Sequence, residues 1–112
     1  MRRLAVFIAA LLSTFLLACL PARSDTLRIA TYNIELSRKG PGLMLRDIEK
    51  GEDAQIAAVI KVIAAADPDI IALQGIDWDY ENRGLEALER RLALAGAPYP
   101  YIFARQPNAG LS

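Results

Sequence analysis

The stretch from Asp69 to Tyr80, Asp-Ile-Ile-Ala-Leu-Gln-Gly-Ile-Asp-Trp-Asp-Tyr, constrains the fold more than any other part of the chain. Its first half is a short apolar run that starts just after Pro68 and gives way to acidic residues. A run of that length with those bounds reads as a strand buried on both faces, as in a parallel or mixed sheet. Its second half puts Gln74, Asp77 and Asp79 where the strand would leave the core. The exits of α/β strands are where such sheets place their ligands.

The residues before this strand lead up to it. Leu27 to Glu35 alternates, with Leu27, Ile29, Thr31, Asn33 and Glu35 on one face and Arg28, Ala30, Tyr32 and Ile34 on the other. Ser37 to Gly51, broken by Gly40-Pro41-Gly42, reads as a loop with room for one helical turn around Leu43 to Ile48. A helix is predicted to start near Glu52 or Asp53, where acidic residues suit an N-terminus. Ile56, Val59, Ile60 and Ile63 form its sheet-facing stripe, and Pro68 ends it. Strand, crossover helix and strand in that order form a parallel unit, nearly always right-handed, with both exits at one edge of the sheet.

The residues after the strand pack back against it. Asp77 to Arg83 is an acidic loop, and a second helix is predicted from about Gly84 to Ala95, with Leu85, Leu88 and Leu92 on one stripe. Gly96 is its stop signal, and Pro98 and Pro100 keep the next segment extended. Tyr101 to Ala104 reads as a third, short strand, and residues 106–110 as a turn. The fold class is therefore α/β in β-α-β-α-β order, with helices packed on a mixed sheet.

Residues 1–24 stand apart as a targeting segment. Met1-Arg2-Arg3 is a positive start, Leu4 to Leu20 is apolar apart from Ser13 and Thr14, and Ala22-Arg23-Ser24 offers small residues for cleavage after Ser24. That predicts a signal peptide and a periplasmic or secreted product. The apolar run is at the lower limit for an uncleaved anchor. A lipoprotein-like reading of Leu16-Leu17-Ala18-Cys19, with the chain lipid-anchored through Cys19, ranks second to cleavage after Ser24. Beyond the leader no cysteine remains, and 10 basic residues stand against 13 acidic ones, so there is no basic surplus to mark a nucleic-acid groove. No feature identifies a protein partner.

The chemistry-bearing candidates are Asn33 and Glu35 at the first exit and Gln74, Asp77 and Asp79 at the second. An amide oxygen and carboxylates converging there would suit Mg²⁺, which keeps waters for a phosphate. From spacing alone the other reading is favoured, in which Asn33 caps a turn and the aspartates form a solvated loop. Trp78 and Tyr80 read as loop anchors on the sheet edge, with stacking on a base or lipid head group as the alternative.

Leu-Arg-Ile-Ala-Thr-Tyr-Asn-Ile, an acidic-start helix and then Asp-Pro-Asp-Ile-Ile-Ala-Leu-Gln resemble the opening of the endonuclease/exonuclease/phosphatase superfamily. The similarity covers about residues 27–104. It implies the N-terminal part of a four-layer α/β sandwich, residues 25–112 being a truncated portion of the domain. It also implies a metal-dependent phosphoester hydrolase using Mg²⁺ or Mn²⁺ on a nucleic acid, phospholipid or sugar phosphate. By the same resemblance Asn33 is the catalytic asparagine that helps position metal and phosphate, and Gln74 precedes the metal-binding glutamate.

At that next position this sequence has Gly75, which cannot ligate a metal. Asp77 is the first substitute considered, if the chain bends at Gly75 or Ile76, and Glu35 the second. A degenerate metal site, leaving a catalytically inactive binding protein on the same scaffold, is the further alternative. On this reading a glutamate restored at position 75 would raise metal affinity. The chain has no histidine, so the histidine and aspartate motifs of the family's hydrolytic step are absent from it. The 112 residues alone are expected to be inactive, and residues 25–112 alone to be poorly soluble or molten.

Overall fold

Two five-residue strands, β1 (Ile29–Asn33) and β2 (Ile70–Gln74), pair in parallel, with Ile29 opposite Ile70 and Asn33 opposite Gln74. Their exits are therefore level. The structure, a computed structural model, describes residues 25–107. The leader, Cys19 and the far end of the 106–110 turn lie outside them. The pairing is closed at the strand starts by the Arg28 N–H donating to Asp69 Oδ2 at 2.8 Å, and past the exits by the Ile34 N–H donating to the Gln74 carbonyl at 2.9 Å.

Between the strands run two helices, α1 (Leu43–Lys50) and α2 (Ala54–Ala66), and after β2 comes α3 (Arg83–Leu94). The segment predicted as a loop with one turn thus holds a full helix. Met44 and Ile48, four apart on α1, are both buried, and with the partly buried Leu45 they dock this helix on the core. From the other side, the Arg91 guanidinium on α3 donates to the Ile48 and Glu49 carbonyls, which the end of α1 leaves unpaired.

Helix α2 matches its sequence signals. Asp53 is the N-cap, its carboxylate accepting the Ile56 N–H at 2.9 Å, and Ile56, Val59 and Ile63 are buried. Helix α3 buries Ala87, Leu88 and Leu92, and ends where Gly96 predicts. With φ of 86° at Gly96, the Ala97 N–H reaches the Leu92 carbonyl and the Gly96 N–H reaches the Ala93 carbonyl. That paired closure needs a left-handed residue, and buried Ala97 packs where its apolar contact belongs.

The core lies on one side of the sheet only. Ile34, Leu36, Met44, Ile48, Ile56, Val59, Ile63, Ala87, Leu88 and Leu92 form one cluster, with Tyr32, Ile71 and Leu73 of the strands packed against it. Ile29, Thr31 and Asn33, and across from them Ile70, Ala72 and Gln74, face outward and are exposed. The expectation that β2 is buried on both faces is corrected on this point. Its alternating burial is that of a strand with one covered face, because all three helices pack on the same side.

The third strand is also corrected. Residues 101–104 form no strand, and Tyr101 and Phe103 are exposed. The chain is pinned just before, where the Tyr99 hydroxyl donates to the Pro68 carbonyl at 2.7 Å. Beyond that point no described residue offers the ladder hydrogen bonds that turn an extended chain into a strand. The described architecture is α/β in β-α-α-β-α order.

Candidate active site at the strand exits

Because the strands are parallel and in register, Asn33 and Gln74 sit side by side at the edge of the sheet, on its open face. The chain leaves β1 through a sharp reversal. Glu35 has φ of 51°, and its N–H donates to Asn33 Oδ1 at 3.3 Å. Asparagine is well suited to this role, since its side chain can bond the backbone two residues on. Gln55 on α2 holds the outgoing chain by donating to the Glu35 carbonyl at 2.7 Å.

β2 leaves through Gly75, whose φ of 71° turns the chain away from the strand direction. The Gly75 carbonyl accepts from the Leu36 N–H at 2.7 Å and the Ser37 N–H at 3.0 Å. A side chain at 75 has nowhere to go. Its Cβ would lie against Asn33 Oδ1 inside contact distance, 2.7 Å from the Glu35 nitrogen and 3.0 Å from the Glu35 Cα. Gly75 is thus the joint on which the two exits close. The expectation that a glutamate here simply restores a ligand fails on this geometry, because Asn33 and the turn at Glu35 already fill the space.

The two substitute carboxylates point to different duties. Asp77 Oδ2 accepts the Arg38 N–H at 2.8 Å, and the Asp77 N–H donates to Met44 Sδ at 3.4 Å, so this residue ties the second exit to the 35–42 loop. Glu35 is exposed on the far side of the reversal. Asp79 Oδ2 accepts the Gly84 N–H at 2.8 Å near the start of α3, and its Oδ1 is buried without a partner among the described residues.

Arg38 is a residue whose importance the sequence does not announce. Its guanidinium donates to Asp47 at 3.1 Å, to Asp53 at 3.3 Å and to the Leu36 carbonyl at 3.1 Å, drawing α1, the start of α2 and the first exit together. The Arg38 guanidinium, and after it that of Arg46, holds the Asp47 carboxyl below its ordinary value. The acidic positions 47 and 53 are visible in the sequence, but only the fold brings them to one arginine.

Does this arrangement fit a divalent ion? Among the described residues no group of three or more carboxylate, histidine or cysteine side chains could hold one. Asn33 offers one neutral oxygen that already takes a backbone N–H, and Asp77 has one oxygen committed to Arg38. An ion that binds through one or two carboxylates and substrate phosphate lacks its anchor here. As placed, these residues do not fit the ion.

Comparison with known proteins bears directly on these strands. The model of the endonuclease/exonuclease/phosphatase family matches residues 30–111, which takes in both strands, except Ile29, and all three helices. The chain belongs to this family. Among curated proteins and among solved structures nothing matches. Members of the endonuclease/exonuclease/phosphatase family are generally hydrolases of phosphoester bonds, and commonly use divalent metals. The family match therefore covers the edge where Asn33 and Gln74 stand, in a chain whose described residues include no cluster of three or more carboxylate, histidine or cysteine side chains placed to hold a metal.

The aromatic residues beyond β2 depart from expectation as well. Trp78 is 42% and Tyr80 74% exposed, so neither is packed away on the sheet edge. They line a cleft of about 710 Å³ together with the Gly40-Pro41-Gly42 turn, Lys39 and Arg83. The turn is legible in the sequence; that it faces the aromatic loop is not.

Proposed function

We propose that this chain is the N-terminal part of an exported, metal-dependent phosphoester hydrolase of nuclease or phosphatase type, built as a four-layer α/β sandwich. The observation that carries the proposal is the placement of Asn33 and Gln74, level at the exits of adjacent parallel strands, inside the stretch that the family matches. Hydrolysis of a phosphodiester needs a base or metal hydroxide and stabilisation of charge on the phosphoryl oxygens. With no histidine in the chain and no formed metal site among the described residues, the 112 residues do not supply that set.

Purified chain incubated with bis(p-nitrophenyl) phosphate and Mg²⁺ or Mn²⁺ is accordingly expected to release no nitrophenolate above the buffer rate. A chimera tests the reading itself. Residues 25–104 joined to the remaining part of an active family member should recover measurable turnover, below that of the parent. A folded chimera with none would sink the hydrolase reading. It would favour the second one, a binding protein on the same scaffold, for which the closed joint at Gly75 speaks.

Export rests on the Arg2-Arg3 start and the apolar run before Ser24. Mass spectrometry of the exported product should find Asp25 at its N-terminus. Lipid on Cys19 would replace this with the anchored alternative.

A further inference from the structure

The chain leaving β1 turns five successive backbone N–H groups onto the strand exits. Ile34 donates to the Gln74 carbonyl at 2.9 Å, Glu35 to Asn33 Oδ1 at 3.3 Å and Arg38 to Asp77 Oδ2 at 2.8 Å, while Leu36 and Ser37 share the Gly75 carbonyl. In a strand neighbouring N–H groups point to opposite sides, so the left-handed turn at Glu35 is what gathers these on one side. The same segment is held from behind. Gln55 Nε2 donates to the Ile34 and Glu35 carbonyls at 3.3 and 2.7 Å, and Arg38 Nη1 to the Leu36 carbonyl at 3.1 Å. The five donors therefore cannot swing away without breaking bonds on both sides.

A divalent cation at these exits would need oxygens that those donors already occupy. Asn33 Oδ1 faces the Glu35 N–H, and Asp77 Oδ2, on the one carboxylate among Asn33, Gln74 and Asp77, faces the Arg38 N–H. Asp79 turns its Oδ2 to the Gly84 N–H, and Glu35 stands on the far side of the reversal. Consecutive N–H dipoles present positive potential to an anion as a cation does, but from a fixed backbone. A cation arriving here meets that potential head-on, without the one or two free carboxylates by which Mg²⁺ is usually held.

We propose that the 34–38 backbone closes these exits in place of a divalent cation, and that Asp77 is a clamp on the loop after β1 and not a metal ligand. The edge that the family match covers is then complete without an ion. An ion required for phosphoester chemistry would be held by carboxylates outside these exits, so hydrolysis and this closure stand or fall separately.

Amide hydrogen exchange and titration with Mn²⁺, both followed in ¹H–¹⁵N spectra of the 112-residue protein, test this. The N–H groups of Leu36, Ser37 and Arg38 should exchange slowly, at rates that excess EDTA leaves unchanged. Mn²⁺ up to millimolar concentration should broaden no signal selectively at Asn33, Gln74 or Asp77. Asp77→Asn removes the charge but keeps an oxygen that can accept the Arg38 N–H, so exchange there should stay within about threefold of the parent. Asp77→Ala removes the acceptor and should speed exchange at Arg38 roughly tenfold, with the Leu88 N–H at the centre of α3 as the control for folding. Selective broadening at Asn33 and Asp77 that Asp77→Asn abolishes would overturn the proposal and make Asp77 a ligand. So would unprotected N–H groups at Leu36 to Arg38 in the parent, or protection that EDTA removes. The chimera reads turnover and these spectra read the exits. An inactive chimera beside protected N–H groups refutes only hydrolysis, and an active one beside Mn²⁺-broadened Asn33 and Asp77 refutes only this closure.

Discussion

Gly75→Glu is expected to destabilise the protein by roughly 2–4 kcal/mol and to add no affinity for Mg²⁺ or Mn²⁺. About 1 kcal/mol comes from holding a residue with a Cβ in the left-handed region, and ~1–3 kcal/mol from forcing atoms into filled space. The second contribution decides the matter, because Glu35, Asp67, Glu81 and Asn82 tolerate positive φ in this same structure. At position 75 the Cβ meets the Asn33 amide oxygen and the backbone of Glu35, neither of which is the loose end of a flexible chain. Yielding room would mean breaking the Glu35-to-Asn33 hydrogen bond and shifting the two N–H groups that converge on the Gly75 carbonyl. Thermal unfolding and isothermal titration with Mn²⁺ on the same preparation read both halves. A variant that melts with the parent and binds Mn²⁺ in the micromolar range would mean the joint is not what the geometry says.

The second large effect concerns the covered face. Leu88 is fully buried at the centre of α3, in the cluster that joins all three helices to Ile71 and Leu73 of β2. Leu88→Ala should cost about 3 kcal/mol through lost transfer energy and the cavity left behind. For a domain of this size that lowers the melting temperature by roughly 10–20 °C, whereas the molten state expected of residues 25–112 alone would show no cooperative melt to shift. Leu94, on the same helix but 83% exposed, provides the contrast, and Leu94→Ala should stay within about 0.5 kcal/mol of the parent. Equal losses at the two positions would mean that the packing side of α3 has been misassigned.

The sequence carries some of this plainly and is silent on the rest. β1, α2 and α3 are legible from a clear period, β2 from its short apolar run, and the bounds from chemical starts and stops: Asp53 as cap, Pro68 as breaker, Gly96 as closure. Helix α1 is not, since it is only eight residues long, with Met44, Leu45 and Ile48 packed inward, and its charged second half after a Gly-Pro-Gly break resembles a solvated loop. Residues 101–104 have the composition of a strand, but composition cannot supply a neighbour with free N–H and C=O groups. At the site, the parallel crossover alone places Asn33 and Gln74 correctly at one edge. A glycine at position 75 permits a bend, and the expected one would bring Asp77 closer. Its actual sense depends on how Asn33 and Glu35 fill the space beside it, which no spacing rule contains.

The joint also has a bearing on the order in which the chain folds. Arg28 and Asp69, which close the strand pair at its start, are separated by 41 positions. Helices α1 and α2 lie inside that span and make their bonds locally, so they can form before the ends meet, whereas the strand pair must wait for the whole loop to be drawn in. Contacts at Gly75 belong to that late step. Strain placed there should act on the rate at which the finished structure opens and leave the rate of its formation nearly unchanged. Stopped-flow unfolding and refolding of the Gly75→Glu protein separate the two rates, and a loss confined to refolding would reverse this order. With the effect on opening, the glycine acts as a latch on lifetime: the closed edge persists for as long as that one position stays bare.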